Sequence, residues 1–193
     1  MKNNELLDEV KSRVYRKVGR NLHLFQVIEG ALKFLIANSR FEGVVDQLPS
    51  IMADKEASFQ KQTMGQLVGA LDKCFSDIPA ECNIQDDSRE IWMSFSFNIA
   101  SYSEDPSKVI KDLSMVVSER NHLAHHFFLS LNQGAVDSWK EAERYLDAQR
   151  EKVLPLFEYL KSLIIGYRDA REVLASFLMS EEGEALLGIE RDD

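Results

Sequence analysis

The sequence predicts an all-α fold: a helical bundle of four to five helices with one short extended insertion near residues 91–99. Three observations carry that prediction. Over most of the chain apolar residues recur three and four positions apart, the spacing of one helical face. The 193 residues are 45% hydrophobic, enough to bury a core without disulfides or metals. A single stretch alternates with a period of two. No repeat, low-complexity tract or linker divides the chain, so residues 1–193 read as one domain.

The first helix is expected from about Leu6 to Ala37. Leu6, Val10, Val14, Val18 and Leu22 form one row, which Phe25, Ile28, Leu32, Leu35 and Ile36 extend. Gly19 and Gly30 interrupt it, each costing about 1 kcal/mol relative to alanine, and are expected to permit close helix packing. The pattern breaks at Asn38-Ser39 and again around Gly43, before Pro49. A second helix is expected from about Met52 to Phe75, stopped by Ser76-Asp77-Ile78-Pro79. Ala80 to Glu90 is polar and loop-like. In Ile91 to Ile99, the residues Ile, Met, Phe, Phe and Ile alternate with Trp, Ser, Ser and Asn, which describes a strand. A lone strand forms no sheet, so it pairs with a neighbouring extended segment or a second copy of the chain, or is no strand. Asp105-Pro106 opens a third helix, with aspartate as cap and proline at the first helical position. It should reach Leu131, before Asn132-Gln133-Gly134. A fourth helix starts near Val136 and continues past Pro155 with a kink there, and a last helical segment covers Asp169 to Leu187.

Apolar runs such as Phe34-Leu35-Ile36-Ala37 are too short to span a bilayer, and the N-terminus opens an amphipathic pattern instead of a signal sequence, so a cytoplasmic protein without membrane association is expected. Cys74 and Cys82 fit neither a CxxC motif nor a zinc ligand set, which suits reduced thiols. The net charge of −9 disfavours general nucleic-acid coating, so any such binding must come from a locally basic feature. Lys11, Arg13, Arg16, Lys17 and Arg20 supply one candidate, in a segment without acids. They offer a guide for RNA, although such a run more often marks a solvated helix face. The tail from Glu181 to Asp193 is acidic.

Chemistry concentrates in Arg120-Asn121-His122-Leu123-Ala124-His125-His126, which holds three of the four histidines. On the third helix Val109, Leu113, Val116, Leu123, Ala124, Phe127 and Leu131 share a face, and Arg120 falls in its middle. A guanidinium on an apolar stripe should meet a buried carboxylate, a cleft, a subunit interface or an anionic ligand. Asn121 and His125 stack four apart on one flank. His122 and His126, also four apart, lie towards the opposite, more exposed side.

Arg120-Asn121-His122-Leu123-Ala124-His125 resembles the R-x(4 to 6)-H motif of the HEPN superfamily, in which a polar residue, often Asn, follows the arginine. Arg16 and His23 satisfy the same spacing without the adjacent asparagine or the apolar face. The resemblance implies a helical bundle that dimerises so that two motifs face each other, and a metal-independent endoribonuclease that leaves a cyclic phosphate and needs no cofactor. It also implies bacterial relatives that act as toxins held by an antitoxin or as parts of phage defence, so a regulatory protein partner is expected beside the homodimer and the RNA substrate. Cleavage through the 2′-hydroxyl needs a base near neutrality and a cation for the charge that builds on phosphorus, and histidine and arginine suit those tasks. On this reading His125 is the general acid/base, Arg120 binds phosphate, and Asn121 orients His125 or the phosphate; His126 competes with His125 for the role.

Two other readings explain some of the same residues. One is a non-catalytic RNA- or nucleotide-binding or protein-interaction module. The other is a metal-binding bundle, since His122 and His126 can share a cation and Glu119-x-x-His122 has the spacing of carboxylate-bridged bundles; that pattern needs a second Glu-x-x-His and further glutamates, so no metal is expected. Trp92, Phe95 and Phe97 suit core or interface packing better than base stacking.

Overall fold

The apolar row that opens the chain folds as one helix, α1 (Lys2–Asn38). The computed structural model describes residues 2–76, 91–97 and 105–186, and among them it is all-α apart from one small sheet. Val10, Val14, Val18, Phe25, Ile28 and Leu32 of α1 are buried, as their spacing requires. Gly19 and Gly30 do not serve close packing as expected: a Cβ at either position would meet no atom within 4 Å. Gly19→Ala should therefore raise stability by about 0.5–1 kcal/mol through helix propensity alone. A higher urea midpoint with an unchanged slope is the expected observation, and a lower midpoint contradicts it.

After α1 the chain extends as β1 (Arg40–Val44) and pairs antiparallel with β2 (Trp92–Ser96), with Phe41 opposite Phe95 and Gly43 opposite Met93. The period-two segment is thus a strand whose partner is a neighbouring extended segment; Asn98 and Ile99 lie outside the described residues. The Phe41 and Phe95 rings stack with centroids 5.0 Å apart, and Phe97 beyond the strand is buried against Tyr167. Gly43 adopts φ +155° within β1, and a Cβ there would lie 2.6 Å from the Ile51 side chain, so this position of the strand suits glycine.

The expected second helix is two, α2 (Leu48–Gln60) and α3 (Met64–Ser76). Thr63 causes the break. Its hydroxyl accepts from the Gln66 backbone N–H at 3.4 Å, while the Gln66 side-chain oxygen accepts from the Thr63 backbone N–H at 2.9 Å. This reciprocal capping box starts α3 afresh and turns Met64, Leu67, Val68 and Leu71 into the core.

α4 spans Pro106–His125, and α5 runs from Val136 to Leu178 with Pro155 inside it. The separate helix expected from Asp169 is the end of α5. Apolar spacing continues through Leu156, Leu160, Leu163 and Tyr167, all buried, and Gly166 is too weak a breaker to stop it. The chain turns at Met179-Ser180, and α6 covers Glu181–Leu186.

Asn21 of α1 bonds Gln149 of α5 and Asn38 bonds Tyr167, so α1 and α5 run parallel. α4 lies antiparallel to both: Glu119 meets Tyr145, Gln149 and Lys152 of α5, and Tyr15 of α1 meets Phe128 just past the end of α4. Trp139, Leu146, Leu160 and Leu163 of α5 complete the core with Leu113, Val116 and Leu123 of α4. One flank of α4 therefore faces α5, and the other opens towards α1 and the start of α3.

Candidate functional site

Two local devices fix α4. At its start the Asp105 carboxylate accepts from the Lys108 backbone N–H at 3.2 Å, the cap expected there. At its end the helix stops at His125, not Leu131. His126 leaves helical geometry at φ −123°, and Phe127–Ser130 form a single 3-10 turn. Aromatic packing sets that stop. Phe127 is buried and stacks on Tyr145 at 5.9 Å, and Phe128 lies 5.5 Å from Tyr15 and 6.5 Å from Trp139.

Arg120 is half-buried, and among the described residues no carboxylate lies within 4 Å of its guanidinium. Of the fates open to a guanidinium on an apolar stripe, the one observed is a cleft. Arg120 lines an open cleft of about 190 Å³ with Ala124 and His125 of α4, Met64 of α3, and Leu22, Phe25, Gln26 and Glu29 of α1. The Arg120 Nη1 donates to the Asn121 side-chain oxygen at 3.0 Å. No hydrogen bond joins Asn121 to His125 among the described residues. His125 is exposed, with no hydrogen-bond partner among the described residues, and lines the same cleft.

Of the other two histidines His126 is exposed as expected, and His122 is not. His122 is half-buried, with its ring edge-on to Tyr145 at 5.7 Å, whereas His125 is exposed. Pairing of α4 with α5 explains this, because the flank carrying Glu119 and His122 is the one α5 covers. His126 sits at the helix C-cap, its ring 6.3 Å from those of both His122 and His125. Glu119 is held by α5: its carboxylate accepts from Tyr145 at 2.9 Å, Gln149 at 3.0 Å and Lys152 at 2.8 Å. Burial first, and then the bond to this carboxylate, hold the Tyr145 phenol protonated above its ordinary range. No three His, Cys, Asp or Glu side chains among the described residues converge as a metal ligand set.

The basic run of α1 is a seam with α5. Arg13 pairs with Glu143 at 3.1 Å, Lys17 pairs with Glu143 and Asp147, and Arg20 pairs with Asp147 at 3.2 Å. Lys11 lies 5.5 Å from the centre of the Trp139 ring. Arg16 is exposed and donates to the Ser12 carbonyl. Sequence alone could not display this seam, because the acids that answer the cations are about 130 residues away.

Sequence reading also missed the α1 side of the cleft. Leu22, Gln26 and Glu29 share a helical face, and the polar pair on an otherwise apolar row was the available signal. The Glu29 charge is balanced by Lys33, which lies 2.9 Å away and also donates to the Gln60 carbonyl.

The paired carboxylates fix a pH dependence. Burial pushes the Glu119 carboxyl up, and the bonds from Gln149, Lys152 and Tyr145 more than reverse it; burial likewise raises Glu143, and Lys17 and Arg13 bring it below its usual value. The bond from Lys17, opposed by burial and helped by Arg20, lowers Asp147. Carboxyls depressed on folding bind fewer protons folded than unfolded, so their contribution is complete above the ordinary values of 4.5 and 3.8 and is lost as pH falls through the lower folded values. Melting temperature should hold steady from about pH 7 to 5 and fall below about pH 4.5. A melting temperature flat down to about pH 3 contradicts the assignment.

Among the described residues no helix is long and apolar enough to cross a membrane. No protein-family model, curated protein or solved structure matches the chain.

Proposed function

We propose that the protein is a metal-independent endoribonuclease of HEPN type, with Arg120, Asn121 and His125 as its working residues at a cleft shared by two copies of the chain. One observation carries the reading: a half-buried arginine without a carboxylate partner among the described residues opens onto the same cleft as an unbonded histidine. A structural arginine would be neutralised, and this one is left for an external anion. The asparagine bond sets one edge of the guanidinium and leaves the other donors of its fork for phosphate oxygens.

In the proposed reaction His125 removes the 2′-hydroxyl proton, the 2′-oxygen attacks the adjacent phosphorus, and the bond to the 5′-oxygen breaks. Arg120 stabilises the charge that builds on the non-bridging oxygens. The leaving 5′-oxygen takes a proton from the protonated imidazole of the second copy, giving a 2′,3′-cyclic phosphate and a 5′-hydroxyl. The size of the cleft supports a shared site. At about 190 Å³ it accommodates a phosphate but falls below the ~300–1,000 Å³ usual for pockets that enclose a small molecule.

The test is incubation of single-stranded RNA with purified protein in EDTA. Fragments ending in a cyclic phosphate, absent with Arg120→Ala protein, are the expected result. RNA binding without cleavage would favour a non-catalytic module, and cleavage that EDTA abolishes would remove the metal-free mechanism.

A further inference from the structure

Two exposed rings lie outside the cleft, towards the N-terminus of α1. Tyr15 is 53% exposed and Phe128 36% exposed, unusual for rings in contact with each other. Their centroids lie 5.5 Å apart at an interplanar angle of 33°, and both back onto buried Trp139, at 5.7 and 6.5 Å. The two rings are therefore supported from behind and open in front. Trp139 is itself anchored by its indole N–H, which donates to the Gln133 carbonyl at 3.3 Å.

Position ties this pair to the cleft. Tyr15 lies on the face of α1 that carries Leu22 and Gln26, about 10 Å from Leu22 along the helix axis at ~1.5 Å per residue. On the opposite wall Phe128 follows His125 after His126 and Phe127. Gly19 lies on the same side of α1 between Tyr15 and Leu22, and the space where its side chain would stand is empty. A glycine there weakens the helix without improving packing, and it keeps the path between the rings and the cleft low. A cationic group borders the rings: Lys11, one helical turn before Tyr15, holds its ammonium 5.5 Å from the centre of the Trp139 ring.

We infer that Tyr15 and Phe128 form a stacking platform for an unpaired nucleobase next to the phosphate bound at Arg120, so that the site selects single-stranded RNA. The inference rests on the ribonuclease reading of the cleft. Aromatic faces beside a cation are what single-stranded nucleic acid uses, because every base presents a π face whatever its sequence. A base inside a duplex has both faces covered by its neighbours and cannot reach the platform. A second copy of the chain is the competing occupant, and exposed Leu129 beside Phe128 would suit it; the Lys11 ammonium, the open space at Gly19 and the placing of Tyr15 on the face of α1 that lines the cleft favour RNA.

The test uses His125→Ala protein, to suppress cleavage, and a fluorescein-labelled unstructured oligoribonucleotide, with affinity read by anisotropy in EDTA. Adding Tyr15→Ala and Phe128→Ala should weaken binding about fivefold or more, while Tyr15→Phe should restore most of it. Replacing the stacked base by an abasic residue should reproduce the loss and remove the effect of the substitutions. Gly19→Gln provides an independent variant: it should keep or raise the melting temperature and still weaken binding, and it decides the matter if the double variant does not fold. Unchanged affinity in the folded variants, or an equal loss for duplex RNA, overturns the platform, and cleavage by the wild type would then leave the nuclease reading standing. A loss that light scattering traces to dissociation of a dimer assigns the rings to a second copy and also overturns it. Absence of both RNA binding and cleavage in the wild type ends the two readings together.

Discussion

Replacing His125 with alanine should slow RNA cleavage by about a hundredfold or more, the range lost with a positioned general acid or base. Arg120→Ala should have an effect at least as large, because it removes the group that meets the charge of the transition state. The fold should survive both. His125 is exposed and unbonded among the described residues, so truncating it falls with surface changes worth about 0.5 kcal/mol or less. The Arg120 guanidinium bonds only its neighbour Asn121 among the described residues, and no ion pair is broken by removing it. Arg120→Lys keeps the charge and loses the fork, so it should recover part of the activity but not all. Asn121→Ala frees the guanidinium to rotate and should slow cleavage less than either. His126→Ala decides between the adjacent histidines: lining of the cleft by His125 predicts that loss of His126 is the milder change. Persistent cleavage by clean preparations of both Arg120→Ala and His125→Ala proteins would sink the catalytic assignment.

What the sequence made legible followed from spacing. The row from Val10 to Ile36 and the period-two segment before Phe97 state their partners' geometry directly, because burial on one side is enough to fix a helix or a strand. Breaks were harder. The Thr63-Gln66 capping box was present in the sequence, but no glycine or proline from Met52 to Thr63 marks a stop before it, so the stretch read as one helix. The end of α5 was placed too early: buried Leu160, Leu163 and Tyr167 carry the helix through Gly166, and it runs on to Leu178 where a separate segment was expected from Asp169. At the site, Arg120 could be singled out as a charge on an apolar stripe, whereas the roles of its neighbours depended on which flank α5 covers. That flank is chosen by long-range contacts, so Glu119 and His122 become part of the α4–α5 joint while Arg120 and His125 stay at the open side. The same dependence turns the basic run of α1 into a seam, since the position of Glu143 and Asp147 is a property of the fold.

The joint that holds α4 in this setting should be vulnerable at Gln149. Asn21 and Gln149 are buried, at 1% and 3% exposure, among mostly apolar core residues. The Asn21 amide donates to the Gln149 side-chain oxygen at 3.0 Å and to the Leu146 carbonyl at 2.8 Å; Gln149 in turn donates to the Glu119 carboxylate at 3.0 Å and to the Tyr145 hydroxyl at 3.1 Å. One amide therefore links α1, α4 and α5. Gln149→Leu fills a similar volume but strips an acceptor from Asn21 and a donor from Glu119, and orphaned buried polar groups cost about 1–3 kcal/mol each. The variant should lose about 2–4 kcal/mol in urea unfolding. Glu119 keeps its bonds from Tyr145 and Lys152, so the loss should stay below that of a stranded buried charge. Adding Asn21→Leu should then recover about 1 kcal/mol, because removing both partners is cheaper than removing one. A single variant within about 0.5 kcal/mol of wild type, or a strictly additive double variant, would show that this amide bridge does not hold the three helices together. Loss of the joint should also reach the cleft, since Glu119 precedes Arg120 on the same turn of α4; cleavage by folded Gln149→Leu protein should fall while Arg120 and His125 themselves are untouched.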